Sequence, residues 1–221
     1  DCATVPRQRR LADLRVLALD MDSTLITIEC IDEIADYAGV RAQVSAVTAS
    51  AMRGEIDFRA SLVRRVALLA GVHANALESV YRERLELSPG ATTLLAGARD
   101  AGARTLLVSG GFTYFTERLR DRLGFDMAVA NALEIDAGRL TGRVLGDVVD
   151  ARVKAEGVAA TRGRYAADGG NAAAIGAGAN DLPMLLAADL SVAWHAKPVV
   201  RAQATHAIDH GGLDAVLNLF A

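Results

Sequence analysis

Close to its start, the chain has an apolar run that ends directly in acidic residues, and this junction restricts the possible folds more than any other feature. The run Val16-Leu17-Ala18-Leu19 leads into Asp20-Met21-Asp22. Four consecutive apolar residues of this kind are typical of a central parallel strand that is buried on both faces. The junction therefore predicts an α/β sheet whose first strand carries two carboxylates at its carboxyl end.

Three further short apolar runs follow the same pattern, and segments with helical spacing lie between them. The runs are Thr105-Leu106-Leu107-Val108 before Ser109, Ala172-Ala173-Ala174-Ile175 before Gly176, and Leu190-Ser191-Val192-Ala193-Trp194. Alternating strands and helices predict a doubly wound, Rossmann-like and mostly parallel sheet, in which ligands bind beyond the carboxyl ends of the strands. An Asp-Ala-Gly turn between apolar residues in the segment 133–140 predicts a β-hairpin.

Residues 27–87 break this alternation, because they read as helix after helix. Apolar residues recur at helical spacing from Ile31, from Leu62 and from Leu77. This pattern predicts a small helical cap domain, inserted after the first strand, that covers the carboxyl edge of the sheet as a lid. We therefore divide the chain into a lead or remnant of an upstream domain at 1–13, a core domain at 14–26 and 88–221, and the cap at 27–87.

The composition excludes several classes of protein. The length of 221 residues suits one domain with a sizeable insertion or two small domains, and the formal charge of −3 leaves no basic face for a nucleic acid. No apolar run approaches the roughly 18 residues that span a bilayer, and the first ten residues lack the apolar stretch of a secretion signal. Cys2 and Cys30 are too few for a disulfide framework. We expect a soluble, cytoplasmic protein with Cys30 in its core and with neither nucleic acid nor membrane as a partner.

The two acids after the first strand are the first candidate for chemistry. Asp20 and Asp22 stand at alternate positions where the chain turns, so their side chains can converge on one small volume. Two adjacent carboxylates repel each other unless a metal ion or a shared proton relieves them, and hard oxygen ligands suit magnesium. The alternative is an Asx turn that caps a helix, since Asp, Ser and Thr all favour loop starts.

Two glycine-containing segments follow other strands. Ser109-Gly110-Gly111 offers backbone N–H groups and a hydroxyl to a phosphate, although such turns are also common in proteins that bind no anion. The segment 176–181 begins like a dinucleotide fingerprint, but Asp181 stands where the third glycine should fall, which argues against a nicotinamide cofactor. Asn180 and Asp181 either cap a helix or orient a nearby lysine.

The remaining charged candidates each have a plain alternative. Lys154 is one of only two lysines in an arginine-rich chain, so it is either a surface charge at a helix start or an ammonium group with a specific role. Glu29 and Arg65 are surface charges by default, yet a lid that faces a small zwitterion needs both signs. Three histidines show neither zinc spacing nor a partner nucleophile and are interpreted as structural or surface residues: His195, His206 and His210.

Taken in order, four segments resemble the four motifs of the haloacid dehalogenase superfamily of phosphatases. They are Asp20-Met21-Asp22-Ser23-Thr24-Leu25, Ser109-Gly110-Gly111-Phe112, Lys154, and Gly178-Ala179-Asn180-Asp181-Leu182-Pro183-Met184-Leu185. Segments of the insertion that begin at Glu29, Met52 and Ser61 are similar to the phosphoserine phosphatase branch of that superfamily. The resemblance covers about residues 14–220. It implies a haloacid dehalogenase-type fold and magnesium-dependent hydrolysis of the small-molecule substrate O-phospho-L-serine, the last step of L-serine biosynthesis.

The resemblance also implies a role for individual residues. Asp20 would attack phosphorus and form an aspartyl-phosphate, while Asp22 would protonate the leaving oxygen and later activate water. Magnesium would be held by Asp20 and the Asp22 carbonyl, with Asp181 in support. The implied substrate-binding residues are Glu29 for the ammonium group, Arg65 for the carboxylate, Met52 and Phe58 for the apolar side, and Ser109, Gly110, Lys154 and Asn180 around the phosphoryl group.

One position departs from the family pattern. Ala177 stands where the superfamily has an acid that binds magnesium directly, which implies weakened metal binding and an impaired enzyme. Two alternatives stay open: a phosphatase of another small phosphomonoester such as phosphothreonine or phosphohomoserine, and a non-catalytic protein that binds phospho-amino acids. Glu29 and Arg65 argue against sugar phosphates, which carry neither an ammonium group nor a carboxylate.

Overall fold

The computed structural model describes residues 3–220, and a seven-stranded sheet forms its centre. The strands are β1 (Leu14–Leu19), β2 (Arg104–Phe112), β3 (Met127–Asp136), β4 (Arg139–Leu145), β5 (Asn171–Gly176), β6 (Leu190–Trp194) and β7 (His206–Ile208). Their order in the sheet is β4-β3-β2-β1-β5-β6-β7. All neighbours are parallel except the β3–β4 hairpin, so the predicted mostly parallel sheet is confirmed.

Helices cover both faces of this sheet. They are α1 (Cys30–Tyr37), α2 (Arg41–Met52), α3 (Phe58–Ala67), α4 (Asn75–Glu83), α5 (Ala91–Asp100), α6 (Thr113–Leu123), α7 (Ala151–Tyr165), α8 (Leu182–Leu186) and α9 (Pro198–Arg201). In β1, Leu17 and Leu19 belong to the apolar cluster that includes α5 and α6, whereas Ala18 belongs to the cluster with α7 and α8. Alternate residues of β1 thus point to opposite faces, and burial on both faces explains the uninterrupted apolar run.

Helices α1 to α4 lie between β1 and β2 in the chain, where the sequence predicts an insertion. Backbone hydrogen bonds join the link between α3 and α4 to the edge strand β4: Gly71 N donates to Leu140 O, and Leu140 N donates to Val72 O, both at 2.8 Å. Gly142 in β4 lies so close to this link that a Cβ there would lie 2.9 Å from the Cβ of Ala70. The insertion is therefore tied to the hairpin edge of the sheet.

The hairpin itself agrees with the prediction but is longer than the segment 133–140. At its turn, Ala137 and Gly138 both have positive φ, 45° and 75°. A two-residue turn with left-handed backbone at both positions matches the right-handed twist of the flanking strands. The hairpin thus closes where the Asp-Ala-Gly sequence predicts a turn.

Three elements differ from the sequence prediction. Strand β2 continues to Phe112, so Ser109-Gly110-Gly111 forms the end of the strand and does not lie in a turn after it. Helix α2 has no clear apolar periodicity in the sequence, because only Val44 of its twelve residues is buried. The short edge strand β7 also lacks a sequence signal, since Ile208 alone is buried among its three residues.

The cysteine and membrane predictions are tested in part. Cys30 is buried and free, as expected of a core residue, while Cys2 lies outside the described residues. Of the lead at 1–13, residues 3–13 are described, and Val5 and Leu11 pack against the main apolar cluster. No helix in the part 3–220 is both long and apolar enough to cross a membrane.

Candidate active site

The tight turn Met21–Leu25 at the carboxyl end of β1 presents the two acids. Asp20 N donates to Ile175 O of the neighbouring strand at 3.1 Å, which fixes the backbone at the first acid. Met21, which lies between the two acids, is fully buried, and its side chain holds this part of the turn against the core. Asp22 Oδ1 then accepts a hydrogen bond of 2.9 Å from Cys30 N, at the start of α1. The turn is therefore held at both acids: the Asp20 backbone is bonded to the sheet, and the Asp22 carboxylate is bonded to the insertion.

Lys154 reaches this turn from α7. Asp150 caps the start of this helix, since its side chain accepts from Val153 N at 3.0 Å, and Lys154 lies one turn later. The side chain of Lys154 is only 1% exposed. Its Nζ donates to Asp20 Oδ1 at 2.5 Å and to Asp181 Oδ1 at 2.8 Å. The surface alternative for Lys154 is therefore wrong.

Asp181 links the lysine to the loop after β5. Its Oδ2 accepts hydrogen bonds from Ala177 N at 3.1 Å and from Gly178 N at 2.8 Å, while Oδ1 accepts from Lys154. Gly176 leaves room for this carboxyl group, because a Cβ there would lie 2.7 Å from the Cβ of Asp181. Capping and lysine orientation, the two alternatives for Asp181, thus both occur.

Asp20, Asp22, Lys154 and Asp181 form one cluster of charged side chains, and the end of β2 lies against it. Ser109 is fully buried, and its Oγ accepts from Gly111 N at 2.8 Å and lies 3.4 Å from Asp22 Oδ2. The glycines are required for space, since neither adopts a positive φ. A Cβ at Gly110 would lie 2.8 Å from Phe58 Cζ, and a Cβ at Gly111 would lie 2.4 Å from Asp22 Oδ2. Phe58 and the second acid therefore both approach this backbone closely.

Burial and crowding perturb the acids. Desolvation and the nearby Asp181 raise the pKa of Asp20 to about 7, although Lys154 opposes the shift. Desolvation, with repulsion from Asp20, also raises the pKa of Asp22 to about 6. Burial alone would lower the pKa of Lys154, but Asp181 and Asp20 raise it. When all are ionised, three carboxylates face one ammonium group, so the cluster carries two uncompensated negative charges and favours a cation.

The insertion brings two charged candidates towards the same cluster. Glu29 Oε1 accepts from Ser23 Oγ at 2.6 Å, and desolvation with repulsion from Asp22 raises the pKa of Glu29 to about 7. Arg65 is half-buried on α3, where desolvation lowers its pKa and the carboxylates of Asp32, Glu29 and Asp22 oppose that shift. Met52 is 69% exposed, so its contact with a ligand stays a prediction.

Comparison with known proteins places this cluster in a family. The family model for haloacid dehalogenase-like hydrolases matches residues 17–186, well over half of the chain. The chain belongs to the haloacid dehalogenase-like hydrolases. The match spans the two acids at β1, Ser109 and Lys154, and it also includes the segment 178–185.

Three relatives of this hydrolase carry a more specific name. A phosphoserine phosphatase from Polaromonas sp. is 53% identical over 215 residues, which cover 95% of this chain and 91% of the relative. A probable phosphoserine phosphatase from Vibrio cholerae, solved without ligand, superposes with a TM-score of 0.86 at 45% identity, over 97% of this chain and 67% of the other. A phosphoserine phosphatase solved with substrate bound superposes with a TM-score of 0.85 at 33% identity, over 94% and 99%.

Sequence reasoning missed two polar residues of this hydrolase. Ser23 has a left-handed backbone, with φ of 55°, and bonds to Glu29. Asn131 is 1% exposed in β3 and bonds to backbone groups of two other segments. Asn131 lies just before the predicted hairpin segment 133–140, so no predicted element or motif includes it.

Other predicted residues stand apart from these contacts. Asn180 is half-buried, and its Oδ1 approaches Gly178. Trp194 is buried, whereas the side chain of His195 is exposed and lies 3.2 Å from Gly211 O. Among residues 3–220, no group of three or more His, Cys, Asp or Glu side chains is arranged to hold a metal ion.

Proposed function

We propose that this hydrolase converts O-phospho-L-serine and water into L-serine and inorganic phosphate, the last step of L-serine biosynthesis, in the cytoplasm. The observation that carries the proposal is the buried contact of Lys154 with Asp20, beside Asp22, in a chain whose relatives are phosphoserine phosphatases. A buried ammonium group that holds one carboxylate next to a second carboxyl group suits nucleophilic and acid–base catalysis by the pair.

In the first step, a carboxylate oxygen of Asp20 attacks phosphorus and forms an aspartyl-phosphate as the bond from phosphorus to the serine oxygen breaks. Asp22 gives its proton to that oxygen, so L-serine leaves as a neutral alcohol. The raised pKa of Asp22, about 6, supports this role because a catalytic acid must hold its proton near neutral pH. The Asp22 carboxyl group is held in position by Cys30 N, which donates to its Oδ1.

In the second step, water attacks phosphorus and the bond to the Asp20 oxygen breaks. Asp22 is now ionised and removes a proton from the attacking water, which restores the starting protonation of the site. Lys154, the Ser109 hydroxyl and Gly110 N–H would bind the phosphoryl oxygens in both steps, and Asn180 would support them. Preorganised donors of this kind stabilise the charge that develops on a transferring phosphoryl group.

The donor chemistry of the cluster fits a magnesium ion, because two negative charges stay uncompensated and the donors are hard oxygen atoms. Asp20 and the Asp22 carbonyl would hold the ion, with Asp181 in support, and the ion would neutralise charge between the anionic nucleophile and the anionic substrate. Both oxygens of Asp181 are already bonded, and Ala177 offers no carboxylate. We therefore infer a weak metal site and an impaired enzyme.

Substrate choice is assigned to the insertion. Glu29 would bind the substrate ammonium group and Arg65 its carboxylate, since these opposite charges lie within electrostatic range of each other beside Asp22. Phe58, which lies against Gly110, and Met52 would cover the apolar side. This pair of charges supports phosphoserine or a close homologue such as phosphothreonine over sugar phosphates. Ala177 favours a non-catalytic binding protein, but the attacking carboxylate held by Lys154 argues against it.

Lys154→Arg is expected to lower turnover by about tenfold or more and to lower the melting temperature. The Lys154 ammonium group fits between carboxylate oxygens at 2.5 and 2.8 Å, and a larger, planar guanidinium would displace the buried carboxylates. Phosphate release and thermal unfolding measure the two effects. Lys197→Arg, at the other and exposed lysine, is the matched control. Unchanged turnover in Lys154→Arg would remove the lysine from the mechanism.

Arg65→Ala is expected to reduce kcat/KM on phosphoserine about tenfold more than on phosphoethanolamine, which has no carboxylate, because a hydrogen bond to a charged group contributes about 1.5 kcal/mol or more. Phosphate release from both substrates at saturating magnesium tests this and the proposed function together. Arg64→Ala, at the exposed neighbour, controls for the loss of a charge. Equal losses on both substrates would mean that Arg65 only supports the fold, and no release from phosphoserine by the unmodified chain would refute the function.

A further inference from the structure

A buried asparagine joins two parts of the phosphate-binding region that are distant in the chain. Asn131 lies in the middle of β3 and is 1% exposed. Its Nδ2 donates to Gly110 O at 2.8 Å, and its Oδ1 accepts from Val149 N at 2.8 Å. Both ends of the amide are therefore bonded, and each bond is to a backbone group outside β3.

The bond to Gly110 O orients one peptide group. In a trans peptide the carbonyl and the N–H point in opposite directions. Asn131 binds the carbonyl of the Gly110–Gly111 peptide, and the N–H of the same peptide, Gly111 N, donates to Ser109 Oγ at 2.8 Å. Because Ser109 Oγ accepts this bond, its own proton stays available to Asp22 Oδ2 or to a phosphoryl oxygen. The amide of Asn131 thus determines which way the Ser109 hydroxyl donates.

The bond to Val149 N fixes the approach to α7. Val149 immediately precedes Asp150, the residue that caps this helix, and Lys154 N donates to Asp150 O within its first turn. Lys154 lies in the first turn of α7, so the position of this helix start relative to β2 determines where Lys154 Nζ contacts Asp20. Asn131 holds both the helix start and the end of β2, so it sets the distance between them.

We propose that Asn131 is a positioning residue that holds the Ser109 hydroxyl, the Gly110 backbone and the Lys154 ammonium group in one geometry for the phosphoryl group. The inference rests on the proposed function and deepens it. Asn131 does not touch the substrate and acts only through these groups. A merely structural role, in which the amide satisfies two buried backbone groups, predicts a loss of stability alone.

Asn131→Leu removes both hydrogen bonds and keeps the branched shape of the side chain, although leucine is larger. Asn131→Asp keeps the acceptor for Val149 N while it loses the donor to Gly110 O. The matched control is Thr105→Val, at the other end of β2. Thr105 is also buried, and its hydroxyl donates to Asp126 Oδ2 and accepts from Asp126 N, both at 3.0 Å. All three variants lose buried hydrogen bonds that join β2 to neighbouring segments, but only position 131 contacts the phosphate-binding backbone.

We expect both Asn131 variants to weaken binding of inorganic phosphate, measured by calorimetry, by about tenfold, and to lower kcat more than they change KM, since small displacements of positioned groups cost large factors in rate. Thr105→Val should lower the melting temperature with phosphate affinity unchanged. In a Ser109→Ala background, Asn131→Leu should cost less phosphate affinity than it does in the parent, because one of the three groups that Asn131 positions is gone.

The inference is overturned if an Asn131 variant folds, melts at a lower temperature and keeps the phosphate affinity and kcat of the parent. If Asn131→Leu does not fold, Asn131→Asp alone decides by the same criteria. Failure of the proposed function is distinguishable, because the unmodified chain would then release no phosphate from phosphoserine. Phosphate binding by the unmodified chain and its Asn131 variants would still test the positioning role.

Discussion

Asp20→Asn is expected to lower phosphoserine turnover on the order of 10⁴-fold or more, the scale seen when a covalent nucleophile is removed from other hydrolases. The amide keeps the shape of the carboxyl group but is a poor nucleophile towards phosphorus. Asp126→Asn is the matched control, because this carboxylate accepts hydrogen bonds from Thr105 at the opposite end of β2. The control should lose stability but keep its turnover.

The position of the covalent phosphate tests the same assignment directly. Rapid quenching during turnover should trap the phosphoryl group on Asp20, and beryllofluoride, which mimics an acyl phosphate, should bind at that residue. A phosphate trapped on Ser109 would contradict the assignment and would require a phosphoserine intermediate in its place.

The stability of Asp20→Asn separates a chemical role from a folding role. Desolvation and Asp181 raise the pKa of Asp20 to about 7, so the folded protein favours the protonated form only below about pH 7. In the unfolded chain the pKa of Asp20 has its ordinary value near 4. The free energy of unfolding therefore falls as the pH rises from about 4 to about 7, because the unfolded chain loses this proton first. Above pH 7 we expect the neutral amide to be at least as stable as the parent in denaturant unfolding.

Elements with a complete burial pattern could be predicted from the sequence, and elements with one buried residue could not. Strand β1 is predictable because its four apolar residues pack into buried clusters on both faces of the sheet. Helix α2 contributes only Val44 to the core and is otherwise rich in alanine, so its apolar periodicity is weak. The same reason hides β7, which buries Ile208 alone.

The site shows a similar division between motif residues and supporting residues. Lys154 could be singled out because lysine is rare in this chain, and its burial decides between the two interpretations of it. Asn131 follows no motif, since its partners are backbone groups at Gly110 and Val149 that any residue type could supply. A side-chain contact with backbone groups that are distant in the chain depends on the three-dimensional fold, so sequence patterns do not predict it.

Ala177→Asp is expected to raise magnesium affinity and turnover together, by at least about ten- to hundredfold, since even an indirect metal partner contributes roughly 1.4 to 2.7 kcal/mol. Ala177 follows β5, whose Ile175 carbonyl accepts from Asp20 N, so the loop lies beside the nucleophile. A carboxylate at 177 would supply the hard anionic ligand that the superfamily pattern has there. Phosphate release across a magnesium titration measures both quantities.

The matched control for this gain is Ala179→Asp, which adds the same charge to the same loop at an exposed position. It should leave the magnesium dependence unchanged. Without magnesium, Ala177→Asp should be no more active and less stable than the parent, because a fourth carboxylate joins Asp20, Asp22 and Asp181 around one ammonium group. Excess magnesium added to the unmodified chain should partly reproduce the gain if the missing acid contributes affinity, but not if it sets geometry. An unchanged magnesium dependence and rate in Ala177→Asp would show that this loop does not face the metal, and the assignment of the segment 176–181 would fail.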